Sequence, residues 1–148
     1  MELEGEFAVP AKRRVVYNFF LDPEKFGKAI PDVEELNVLS ESSFATRVRA
    51  GISYIRGTLA MQFERVAAEE GLTATYRGKG LGMSSFVEVE ASFRLEDLPD
   101  GGTRVKWRGE AKIGGRLAGV GGGLLEPVAR KNTTRFIAAI EAGLRQMA

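Results

Sequence analysis

Between Val87 and Ala111 the sequence alternates with a period of two on both sides of one turn, and this hairpin restricts the possible folds more than any other feature. Val87, Val89, Ala91, Phe93 and Leu95 oppose Glu88, Glu90, Ser92, Arg94 and Glu96. After Pro99-Asp100-Gly101-Gly102, Val105, Trp107, Gly109 and Ala111 oppose Arg104, Lys106, Arg108 and Glu110. Two strands with one dry and one charged face pair antiparallel, and the dry face needs a cover. The chain supplies one directly afterwards. From Arg116 the apolar period becomes helical, through Leu117, Val120, Leu124 and Val128 to Phe136, Ile140 and Leu144. Unbroken, this helix would run roughly 45 Å. Steps of four overshoot a 3.6-residue turn, so the stripe winds as a helix crossing a twisted sheet requires. Pro127 and the glycines at 119 and 121–123 weaken its first turns.

The rest of the chain extends the sheet. Leu3, Gly5, Phe7 and Val9 alternate with Glu2, Glu4, Glu6 and Ala8 in a first strand ending at Pro10. Val15, Val16, Phe19 and Phe20 then form one stripe on a short helix that Asp22-Pro23 stops. Pro23 starts a second helical turn through Phe26 and Ala29. Strands follow from Val33 to Leu39, from Phe44 toward Ile52, from Leu59 to Phe63 and from Leu72 to Arg77, the last leading into a loop Gly78-Lys79-Gly80-Leu81-Gly82. The expected class is α+β: a curved antiparallel sheet of about seven strands, two short helices after the first strand, and a long C-terminal helix. Residues 1–148 read as one domain, since the chain has the usual length for one and shows no linker or repeat.

Composition removes several function classes. The chain has no histidine and no cysteine, which excludes thiolate metal sites, cysteine nucleophiles, disulfides and imidazole proton transfer. Amide side chains are few, a composition shared with many thermophile proteins. The opening Met1-Glu2-Leu3-Glu4 is acidic where a signal peptide is basic, and no stretch approaches the roughly 20 apolar residues of a membrane span. A cytoplasmic location is therefore expected. Net charge is +1, but residues 1–103 carry 12 basic and 17 acidic groups against 9 and 3 in 104–148. The basic stripe Arg104, Lys106 and Arg108 has no interleaved aromatic groups and reads as a solvated face, so no nucleic-acid partner is expected.

A bent sheet and a nearly straight helix cannot touch everywhere, and here many inward positions are small. Thr46, Ala50, Gly57, Ala74, Gly78, Ala91, Gly109 and Ala111 lie among Phe44, Met61, Tyr76, Phe93 and Trp107. Opposite a glycine-rich helix start they leave room for an apolar ligand; alternatively they let the sheet bend and pack closely. Strand parity and helix phase place Phe20, Phe44, Val48, Tyr54, Leu59, Met61, Tyr76, Val89, Phe93, Trp107, Val120, Leu124 and Val128 around this space as the candidate ligand-binding set. Tyr17, Tyr54, Tyr76 and Trp107 offer polar tips to such a ligand. No catalytic residue, metal ligand or cofactor is expected.

Three segments carry a resemblance: Leu3-Glu4-Gly5-Glu6-Phe7-Ala8-Val9-Pro10-Ala11, the stretch from Leu21-Asp22-Pro23-Glu24 to Ile30-Pro31, and that from Gly114-Gly115-Arg116-Leu117-Ala118 to Val128-Ala129-Arg130-Lys131. Over essentially its whole length the sequence resembles the SRPBCC (START-like) superfamily, and within it the CoxG-like family, named for the G subunit of carbon monoxide dehydrogenase. The resemblance implies a helix-grip fold with a hydrophobic cavity under the C-terminal helix. It also implies an accessory role beside molybdenum-containing carbon monoxide dehydrogenase, in maturation, membrane association or quinone delivery. Many relatives carry a hydrophobic anchor after the helix, whereas this sequence ends at Ala148, which implies at most a transient, peripheral contact with the inner face of the membrane.

The leading expectation is a non-catalytic carrier of a lipid or quinone-like molecule, with carbon monoxide dehydrogenase subunits as partners. Two alternatives stand beside it. One is a cavity enzyme of the polyketide cyclase/dehydratase type, which needs an acid or base inside although Glu88, Glu90 and Glu110 point outward by parity. The other is a ligand-free interaction module using the sheet edge or the basic C-terminal region around Arg130, Lys131 and Arg135.

Overall fold

The computed structural model describes residues 1–52, 55–120 and 122–147, without the side chains of Val120 and Gly122. The elements are β1 (Glu2–Val9), α1 (Arg13–Leu21), α2 (Pro23–Lys28), β2 (Val33–Ser40), β3 (Ser43–Ile52), β4 (Ile55–Glu69), β5 (Thr73–Gly82), β6 (Ser85–Asp97), β7 (Thr103–Gly115), a 3₁₀ segment (Arg116–Val120) and α3 (Gly122–Met147). The seven strands form one sheet in the order β1-β7-β6-β5-β4-β3-β2, every neighbouring pair antiparallel. This is the helix-grip architecture expected from alternation followed by a helical period.

Local chemistry sets the boundaries. Asp22 ends α1 and caps α2, its carboxylate accepting from the backbone N–H of Glu24 and Lys25 at 3.0 and 3.2 Å, with Pro23 at the first helical position. One expectation fails at Gly78–Gly82, which continues β5 instead of forming a loop. These glycines make room for the neighbouring strand: a Cβ at Gly78 would lie 2.5 Å from Phe63, and one at Gly80 1.9 Å from the Met61 sulfur. The turn falls at Met83-Ser84, both with positive φ (55° and 54°), the two-residue geometry that suits a twisted hairpin.

The second correction concerns the helix start. Arg116–Val120 is 3₁₀, and α3 begins at Gly122 with 26 residues, about 39 Å of helix. Its C-terminal half packs hard: Ile140 and Leu144 are buried in a cluster with Val16, Phe19, Phe20, Phe26, Phe44, Tyr76, Phe93 and Val105. Phe26 stacks on Tyr76 at 4.3 Å, and Phe20 lies 4.4 Å from Phe93. A smaller cluster of Leu59, Met61 and Val87 occupies the other end of the sheet, where α3 stands off.

Candidate functional site

Under the first half of α3 lies a partly open cavity of about 790 Å³, within the range of small-molecule sites. Its floor is the inward face of four strands: Ala50 of β3, Leu59 of β4, Val87 and Val89 of β6, and Ala111 and Ile113 of β7. Its roof is Leu117, Leu125, Val128 and Ala129. The space exists because these side chains are short where the packed half has phenyl rings. Next to it a Cβ at Gly109 would meet nothing within 4 Å.

The rim is polar and includes Pro31, Asp32, Arg49, Arg56, Lys131, Asn132 and Arg135. Asp32 follows α2 with φ +61°, a left-handed conformation that aspartate and asparagine tolerate. Its carbonyl accepts from the Arg49 N–H at 3.0 Å. Its carboxylate accepts two parallel bonds from the Arg135 guanidinium at 2.8 and 2.9 Å, tying the chain before β2 to the middle of α3 beside the opening. Hydrogen bonding to Arg135 holds the Asp32 carboxyl below its usual range.

A depressed carboxylate stabilises the fold above its unfolded-state pKa, and the contribution disappears as pH falls through the folded value. Asp32→Asn keeps the backbone preference and removes the charge. The variant is expected to melt slightly below the parent at neutral pH and to match it in acid, because both rim groups are exposed and the pair is partly screened. Equal melting at neutral pH would show that the pair does not hold the rim.

Of the thirteen candidate residues, Leu59, Val89 and Val128 line the cavity. Phe20, Phe44, Tyr76 and Phe93 face inward but lie in the packed cluster. The Tyr76 hydroxyl donates to the Phe20 carbonyl at 2.5 Å, and burial raises its pKa, so its polar tip is engaged in the core. Trp107 lies against β1, its ring 2.8 Å from where a Gly5 Cβ would stand, and not on the cavity wall. Met61 leans across Gly80, and Val48 packs against the smaller cluster. Leu124 is 47% exposed. Tyr54 and the Val120 side chain lie outside the described residues. Tyr17 is buried in the main cluster.

The reading of α3 missed Leu125, Ala129 and Asn132, and a signal for them existed. Counting back from Phe136 by helical steps gives 132, 129 and 125. Counting forward from Leu117 fails because Arg116–Val120 is 3₁₀, with three residues per turn, and shifts the phase. Several outward cations are matched across strands, Lys106 with Glu96, Arg108 with Glu2, Arg47 with Glu35 and Arg77 with Glu90, and Arg108 also meets Glu110 on its own strand. No helix among the described residues is long and apolar enough to cross a membrane.

The same architecture occurs in solved structures. A conserved protein from Geobacillus kaustophilus superposes with a TM-score of 0.88 at 20% identity, covering 99% of this chain and 96% of that one. A START superfamily protein from Mycobacterium smegmatis gives 0.74 at 14% identity and 99% coverage of both chains. The di-domain ARO/CYC StfQ from the steffimycin biosynthetic pathway gives 0.70 at 17% identity, covering 99% of this chain and 51% of that one. No curated protein matches the sequence. At these identities the structural likeness establishes the fold, START-like, and the family comes from sequence. Residues 5–145 match the family of the carbon monoxide dehydrogenase G subunit, CoxG, and the chain belongs to this CoxG family.

Proposed function

We propose that this chain is a non-catalytic accessory protein that houses a hydrophobic small molecule, a lipid or quinone-like compound. It serves a molybdenum-containing carbon monoxide dehydrogenase, in maturation, membrane association or quinone delivery. The observation that carries the reading is the apolar cavity under the first half of α3, walled by aliphatic side chains from both sheet and helix. Asp32 is the one carboxylate among the described lining residues, and it sits at the rim, held ionised by Arg135. That supports housing over acid–base chemistry inside. The family description supports the link to the dehydrogenase.

Native mass spectrometry of protein purified gently from its own host, followed by organic extraction, tests the cargo. A stoichiometric lipid or quinone is expected, together with co-purifying dehydrogenase subunits. An empty protein that takes up neither added quinone nor added lipid would overturn the carrier reading.

A further inference from the structure

We infer that the outer face of the sheet, at its hollow end, docks on an anionic lipid surface. Leu81 of β5 and Phe86 of β6 are register partners there, 69% and 48% exposed. Alternation turns both away from α3, because their neighbours face inward: Gly80 lies under the Met61 sulfur and Val87 is on the cavity floor. The Phe86 ring covers Gly114 of β7, leaving no room for a Cβ, and Ala60 of β4 flanks Leu81 on the other side. The row Ala60, Leu81, Phe86 and Gly114 thus crosses β4 to β7 without a charge.

Exposed cations border this row on the same face: Lys79 on β5, Lys112 on β7, and Arg56 on β4, which leans over Gly51. None of the three forms an ion pair among the described residues. Register places Glu88 between the two lysines, and the next carboxylates along β6 and β7, Glu90 and Glu110, are taken by Arg77 and Arg108. Two large apolar side chains fall far short of the roughly 800 Å² per partner of a stable protein interface. A second copy on this patch would also set the lysines against one another. Shallow insertion among lipid headgroups suits both features, with the cations drawn to the anionic surface. Phe86 and Val87 are consecutive, so a chain docked here holds the hollow directly behind the docked wall. That cargo passes at this contact rests on the carrier reading; the docking itself does not.

Co-sedimentation with vesicles tests this, phosphatidylcholine alone against phosphatidylcholine with about 30% phosphatidylglycerol. The protein is expected to bind the mixed vesicles about tenfold or more tightly than the neutral ones, an advantage that shrinks in high salt. A Lys79→Gln/Lys112→Gln double variant should bind the mixed vesicles more weakly by about fivefold for each lysine removed. Leu81→Ser, at a site too exposed to disturb the fold, should weaken binding by about tenfold. Equal binding to the two compositions, binding to neither, or undiminished binding in either variant would overturn the docking surface. So would a parent dimer that Leu81→Ser turns into a monomer, which would assign the patch to a second copy. Calorimetric titration with dodecanoate and 1-dodecanol, each below its aggregation limit, reads the cavity separately. Uptake of neither would count against the carrier reading and leave the vesicle result standing.

Discussion

Phe26→Ala is expected to lose about 3–5 kcal/mol of stability, a large part of the about 5–15 kcal/mol that holds a typical domain. Phe26 is 3% exposed and belongs to a six-residue helix too short to persist by itself. Its ring stacks on Tyr76 of β5 and meets Phe44 of β3, Phe93 of β6 and Phe136 of α3 at 5.4–6.2 Å between centroids. Truncation would remove one side chain from contacts with three strands and the C-terminal helix together. The rigid neighbours could not collapse into the space, so the cavity penalty would add to the lost transfer energy. The Asp22 cap would remain, but only the small residues Gly27 and Ala29 would still seat α2 against the core. Urea unfolding followed by far-UV circular dichroism measures the change. A loss under about 1 kcal/mol, typical of a peripheral site, would mean that the aromatic cluster is not the anchor of the fold.

The same side chain links core to rim. α2 leads directly to Pro31 and Asp32, so the position of the Asp32–Arg135 pair depends on how firmly Phe26 seats that helix. Stability in the packed half therefore shapes the opening of the hollow half. A chain weakened at Phe26 is expected to bind ligand more weakly although it touches none of the cavity wall.

Strand parity made most of the sheet readable in advance, because a two-residue period with charges on one face has few other solutions. The glycines of β5 misled because glycine usually punctuates. Their role here is to accept Phe63 and Met61 from the next strand, a relation between side chains far apart in sequence. The candidate site was harder to read for a different reason. Parity tells which residues face inward, but only the docking of α1 and α2 decides which inward residues are covered. Those two short helices bring Phe19, Phe20 and Phe26 onto one end of the sheet, turning Phe44, Tyr76 and Phe93 into core. The cavity remains where large inward side chains are missing, at Ala50, Val89, Ala111 and Ala129, so bulk was the wrong guide to its wall.

That contrast leads to the second large effect, expected at Ala111. Its half-buried side chain lies on the cavity floor, and Val89 is its register partner on β6. In Ala111→Trp the new ring would project into the hollow between β7 and α3, where it can bury much of the roughly 150–250 Å² an aromatic side chain offers. The backbone N–H of Ala111, which donates to the Met1 carbonyl at 2.9 Å, is unaffected by the change. Stability should therefore hold or rise, whereas enlarging a side chain in a filled core costs about 1–3 kcal/mol. Ligand uptake should fall at least about tenfold for anionic and neutral amphiphiles alike, since the tail loses its place. Thermal melting and dodecanoate titration on the same preparation read both quantities. Lost binding with retained stability would identify the hollow as the ligand site. Retained binding with retained stability would put the ligand elsewhere. A marked loss of stability would show that β7 and α3 are in close contact in solution, with no hollow for a ligand to occupy.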